Sequence, residues 1–204
     1  MLSHEEARLM AICLAQQPDA DAVLDGNPLA LLLGMLLDQQ FPMERAFAGP
    51  HLIEERLGAP LDARALADAD PDELAALFTG PPAVHRYPSS MAQRTQAVCR
   101  YLVEHYDGDV ERLWSGAENG AELLRRVAAL PGFGKQKSQI FVALLGKQRG
   151  VRPDGWEKAA GGYGESGVHR SVADVVDGES LAAVRAYKQE RKAAAKAAAT
   201  EESA

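Results

Sequence analysis

The chain has 204 residues, 47% hydrophobic and 25% charged, an ordinary globular composition with length enough for one sizeable core or two small lobes sharing a cleft. No apolar run approaches the roughly 20 residues that a membrane helix needs, and MLSHEEARLM at the start lacks the basic and apolar regions of a secretory signal, so no membrane partner and a cytoplasmic location are expected. The net charge of −7 divides into −10 over residues 1–80 and +3 over residues 81–204, which leaves a local basic face free to meet a polyanion.

Almost every segment reads as helix. Ser3 and Glu6 in SHEE form a capping box before an apolar-periodic stretch that runs to about Gln16. The segment QPDADAVLDGN reads as a loop rich in Pro, Asp and Gly. Asn27 and Pro28 then open NPLALLLGMLLDQQ, apolar on nearly every side and therefore the expected central buried helix. A helix near 43–57 follows, with short ones around 62–68 and 71–78 that begin at Asp or Pro. TGPPAVHRYP is a loop, and a long amphipathic helix is expected from Ser89 to Tyr106.

The segment 109–129 predicts one or two helices, ending in ELLRRVAAL. QKSQIFVALLGKQRG predicts another, with Gly150 suited to stop it. Residues 151–178 read as irregular and Gly-rich, and the last segment has strong helix propensity. There is no useful strand alternation and no repeat. The expectation is an all-α fold of two helical lobes with a cleft between them, a helical bundle over residues 28–148 and a second lobe from residues 1–27 with 149–204. Nothing in the sequence demands more than a monomer.

The segment most suited to chemistry is LPGFGKQKS, Leu130–Ser138. Gly132 and Gly134 can adopt conformations closed to other residues and bring bare backbone against a ligand. Consecutive N–H groups at the start of the next helix suit an anion, and Lys135 and Lys137 add positive charge. The plain alternative is a helix-turn-helix link with a glycine cap.

LPGFGKQKSQ resembles the hairpin of the helix-hairpin-helix, Gly/Pro-rich, Asp (HhH-GPD) superfamily of DNA glycosylases. LLLGMLLDQQ resembles the family helix whose final Gln, here Gln40, enters DNA beside the target base. HRYPSSMAQRTQAVCRYLVEHYDGDV resembles a further family helix, with Tyr87, Ser89 and Ser90 in the loop before it. In the endonuclease III-like branch an aspartate lies 18 residues beyond the position that can hold a catalytic lysine. That position is Gln136 here, and the aspartate falls on Asp154 in VRPDGW.

The resemblance implies double-stranded DNA containing a damaged base as partner, flipped out while the hairpin holds the backbone. It makes Gly132, Phe133, Gly134, Lys135, Gln136 and Lys137 DNA-binding positions beside Gln40, Tyr87 and Ser89. It also makes Asp154 the carboxylate that stabilises the cationic sugar or activates water. Hairpin carbonyls near Leu130–Gly134 are the expected place for a monovalent cation, with no other metal or cofactor. The two cysteines, Cys13 and Cys99, cannot supply the four thiolates of an iron–sulfur cluster or zinc site, and both read as buried apolar thiols.

Departures from the family pattern shape the expected activity. Gln136 replaces the Schiff-base lysine, and Lys137 lies about 100° further round the helix, which points to a monofunctional glycosylase without lyase activity. The family's D-T-H-V-x-R is D-G-W-E-K here, and Pro-Asp-Gly at 153–155 also reads as an ordinary turn, so both readings of Asp154 stand. A fold retained for DNA binding without chemistry is the alternative function. Arg185, Lys188, Lys192 and Lys196 recur along one side of the last helix, either to follow a phosphate backbone or simply as a solvated face.

Overall fold

The computed structural model describes residues 11–201; the Ser3–Glu6 capping box lies outside them. Among the described residues there are eleven α-helices, two 3-10 turns and no strand. None of these helices is by itself long and apolar enough to cross a membrane.

The chain enters along a non-helical stretch, residues 11–17, rather than the expected helix. The first helix, α1 (Pro18–Gly26), instead forms where a loop is expected. Its Pro and Asp residues are start signals here: Pro18 occupies the first turn, Asp19 and Asp21 sit at the positive end of the helix dipole, and Ala20 and Leu24 are buried. Asp21 also accepts the Ala15 and Gln17 amides at 2.7 and 3.2 Å, so the incoming chain and the helix are tied by one carboxylate.

Asn27 caps α2 (Pro28–Leu37) by accepting the Leu29 amide. Every residue from Leu29 to Leu37 is buried, as expected of a helix apolar all round. On it pack α3 (Met43–Leu57) and α6 (Pro88–Tyr106), and α4 (Ala63–Asp68) and α5 (Pro71–Thr79) in turn pack on α6. Asp62 and Asp70 cap α4 and α5 through their side chains. The α2–α3 crossing depends on Gly34, where an added Cβ would stand 2.5 Å from the Phe47 ring.

A short helix, α7 (Arg112–Ser115), leads to α8 (Gly120–Ala128), the hairpin, and α9 (Lys135–Gln148). The segment expected to be irregular contains α10 (Trp156–Ala160) and 3-10 turns at Gly161–Tyr163 and Val172–Asp174. Then α11 (Gly178–Glu201) is the last element among the described residues. α10 lies on both hairpin helices because Trp156 fills a slot floored by two glycines. A Cβ at Gly120 would meet Trp156 backbone at 2.5 Å, and one at Gly146 would meet its ring at 2.3 Å.

These contacts group the helices differently from a division at residues 28–148. α1 packs on α2 and α3, while α8 and α9 pack with α10, and α9 and α11 with the second 3-10 turn. The reason is α1 itself: the apolar face carrying Ala20 and Leu24 needs a helical partner, and α2 and α3 are the neighbours its short link allows. Cys99 is buried as expected, with its thiol pushed up to about 12 by burial, but Cys13 is only partly buried and receives a contact from the Gln16 amide at 3.3 Å.

The Trp156 slot gives a direct test. Gly146→Ala is expected to cost about 1–3 kcal/mol in urea or thermal unfolding, because overpacking against a fixed indole outweighs the helix-propensity gain of alanine.

Candidate nucleic-acid interface

The hairpin is built by two different glycines. Gly132 has φ +82°, a conformation that favours glycine, and a Cβ there would stand 3.0 Å from Leu36 Cδ1. Gly134 is extended (φ −78°, ψ 172°), and nothing lies within 4 Å of the place its Cβ would occupy. Steric freedom at Gly134 is therefore open space on the outside of the turn, not a backbone requirement.

Phe133, between them, is turned inward at 5% exposure, its ring 6.0 Å from that of Phe141. Its amide donates to the Leu130 carbonyl at 3.1 Å. This corrects the expectation that Phe133 contacts DNA: it anchors the hairpin to the core. Beyond it the amide pattern suits a phosphate. No side chain caps the start of α9, and its first amides have no acceptor within the helix. Gly132, Gly134, Lys135 and Gln136 are exposed, and Gln136 donates to the Tyr163 hydroxyl at 2.8 Å.

For a monovalent cation the fit is restricted. The Leu130 carbonyl already accepts the Phe133 amide, and that of Gly134 accepts both the amide and the hydroxyl of Ser138 at 2.9 Å. A cation would have to share these acceptors.

Lys137 departs further from the expected role. It turns inward, and its Nζ donates to the Leu36 carbonyl at 2.8 Å, 5.8 Å from the centre of the Phe133 ring. It thereby satisfies a carbonyl left open at the end of α2. Burial pushes its pKa down to about 8, with Arg94 adding to the shift and Asp38 opposing it. It is a cation at the junction of two helices rather than a surface contact.

The other side of the interface begins where α2 stops. Asp38 closes the helix, the Gln39 amide reaches back to the Leu37 carbonyl at 2.7 Å, and Gln40 takes φ +52°. A non-glycine residue in the left-handed region is uncommon and marks a bend that its surroundings enforce. Gln40 is exposed on that bend.

His85, 1% exposed, holds the bend to the loop before α6. Its Nδ1 accepts the Tyr87 amide at 3.1 Å, so the proton sits on Nε2, which donates to the Gln39 carbonyl at 3.1 Å. Burial lowers the His85 pKa, which keeps the ring in this neutral form. The imidazole also packs 4.6 Å from the Phe41 ring. Gln40 and Tyr87 are thus brought to one region by a residue whose spacing carries no motif.

Tyr87 is 46% exposed, with the Arg86 guanidinium 5.5 Å from its ring centre, and Ser89 and Ser90 are exposed at the start of α6. A cavity of about 610 Å³ opens beside them, lined by Gln40, Phe41, Arg45, His85 and Arg86 among others. Arginines interleaved with flat rings suit a base and its phosphate.

Asp154 is elsewhere. It is exposed in a turn with Gly155 at φ +72°, and its carbonyl accepts the Gly120 amide at 2.8 Å. Gly120 is the first residue of α8 and the hairpin follows the last, which separates the two by the length of the helix, about 13 Å at 1.5 Å per residue. Trp156, beside Gly146 near the carboxyl end of α9, places the turn at the same distant end. The turn reading is the one this geometry favours.

The carboxylate that acts electrostatically on the hairpin lysine, Lys137, is Asp38, which the sequence reading left without a role. On α11, Arg185 pairs with Glu44 and Lys188 lies near enough to Asp38 to act on it electrostatically. The basic stripe is therefore partly spent on the protein's own acids.

The family model described as HhH-GPD superfamily base excision DNA repair protein matches residues 33–202. No curated protein and no solved structure matches the chain. The matched span takes in the end of α2, the Gln40 bend, the loop holding Tyr87, the hairpin and α11. With most of its length covered and each of those pieces in place, the chain belongs to the HhH-GPD superfamily of base excision DNA repair proteins.

Proposed function

We propose that the protein is a monofunctional DNA N-glycosylase that removes a damaged base from duplex DNA. The observation that carries this reading is the exposed, uncapped start of α9, with open space beside Gly134 and Lys135 next to it. Those amides hold a sugar–phosphate strand while Gln40, on its enforced bend, occupies the place of the extruded nucleotide. Gln136 stands where bifunctional relatives carry their lysine, so no Schiff base forms at that position.

A binding module without chemistry is the second reading, and a specific observation favours it: Asp154 stands at the wrong end of α8. The two differ in one measurement. Duplexes carrying uracil, hypoxanthine, 7-methylguanine or 8-oxoguanine are incubated with the protein and assayed for free base and abasic product. Release from any of them supports the glycosylase, and Asp154→Asn is expected to retain it. Binding without release from the whole panel would establish the module instead.

The hairpin is tested by Gly134→Leu. Any L-residue can adopt the Gly134 conformation, so stability should stay within about 0.5 kcal/mol of wild type. Duplex affinity should fall roughly ten- to hundredfold, the worth of one or two charge-assisted hydrogen bonds. Wild-type binding should weaken linearly in log–log plots against salt. Undiminished affinity in the variant would remove the hairpin from the interface.

A further inference from the structure

Asp38 stands in an unusual setting. It ends α2 and is partly buried, yet no described residue donates a hydrogen bond to its carboxylate or forms an ion pair with it. Its charged surroundings come from four other elements: Lys137 of α9, Lys188 of α11, Glu44 of α3 and, across Lys137, Arg94 of α6. His85, in the loop before α6, is held neutral. Its oxygens are not among the buried atoms left without a partner, so they open to solvent, where a water or an incoming group can reach them.

What comes is set by its neighbours. Lys137 is in the first turn of α9, three residues from the open Gly134. Its ammonium is fixed on the Leu36 carbonyl, so it faces the end of α2 without neutralising Asp38 by contact. On the other side, Gln40 follows Asp38 by two residues, at most about 7 Å along the chain. The carboxylate and ammonium thus lie within a few residues of both the strand-holding amides and the bend that displaces a nucleotide.

We propose that Asp38, acting across a gap with Lys137, is the base that deprotonates the water attacking the sugar carbon. The inference rests on the glycosylase reading above and assigns the chemistry that Asp154 is too distant to perform. The water oxygen bonds to C1′ as its proton passes to the Asp38 carboxylate. The C1′–N bond breaks, its electron pair leaves with the base, and the base nitrogen takes a proton from the Lys137 ammonium. Asp38 then loses its proton to solvent and Lys137 regains one, so that one water is consumed and the products are free base and an abasic sugar.

The titration of the pair gives a signature that a structural role lacks. Burial and Glu44 raise the Asp38 pKa while Lys188 and Lys137 pull it down; burial and Arg94 lower that of Lys137 to about 8 while Asp38 opposes. The active form has Asp38 ionised and Lys137 protonated. Single-turnover rates should therefore rise through an acid limb above the ordinary carboxylate range and fall above about pH 8.

The experiment measures single-turnover base release, duplex affinity and thermal midpoint for wild type, Asp38→Asn and Lys137→Met on the same lesion panel. Asp38→Asn removes no internal hydrogen bond and is expected to fold and bind as wild type while losing about 100-fold or more in rate. Lys137→Met should abolish the alkaline limb and move the acid limb upward, since Asp38 loses a neighbouring cation. Wild-type release with an equally fast Asp38→Asn would overturn this assignment and leave the glycosylase standing. Wild-type binding without release would overturn both. Should Asp38→Asn lower the midpoint, the Lys137→Met pH profile decides: an unchanged bell overturns the pair.

Discussion

The grip of the hairpin on the last turn of α2 is the constraint from which the rest follows. Leu36 takes part twice: its side chain lies under Gly132, and its carbonyl accepts the Lys137 ammonium. One contact is steric and one electrostatic, and they come from opposite ends of the Gly132–Lys137 segment. Together they fix the outward amides of α9 relative to the end of a helix buried from Leu29 to Leu37. Because α2 is enclosed on every side, that reference point cannot drift.

The same junction explains the electrostatics. A helix ends with unpaired carbonyls and negative dipole character, and here it also ends with Asp38. Lysine from α9 answers the carbonyl while the carboxylate stays unanswered by contact. Half-buried charges of opposite sign, held apart, are costly to build for stability alone. They are well suited to a site that must receive water and a polar substrate. The surplus of acid in residues 1–80 is tempered at this face by Arg185 on Glu44 and by Lys188 near Asp38.

Much of the architecture was legible. The long periodic segments of α3, α6 and α9 appear within a residue or two of where their patterns place them, and the all-round apolar α2 starts where expected but stops at Leu37, three residues before Gln40. Their burial is set by spacing along the chain, and local spacing survives any tertiary arrangement. α1 was hidden because Pro, Asp and Gly serve both loops and helix starts, and only its contacts with α2 and α3 decide between the two. The hairpin, too, could be recognised from its glycines, although Phe133 between them proved to be an anchor.

The amino-acid sequence by itself determined the helical class, the buried central helix and the turn that exposes the α9 amides, since each follows from residues adjacent or periodic in the chain. Which acids and bases share a site was decided only by the tertiary structure. Asp38 and Lys137 stand 99 residues apart in the sequence and come within electrostatic reach because the hairpin packs on Leu36. Asp154, 18 residues from Gln136, is carried away because α9 is a rigid rod and the Trp156 slot seats the following chain at its far end. Distance along a chain sets an upper limit on reach, whereas helix rigidity and packing set the actual position.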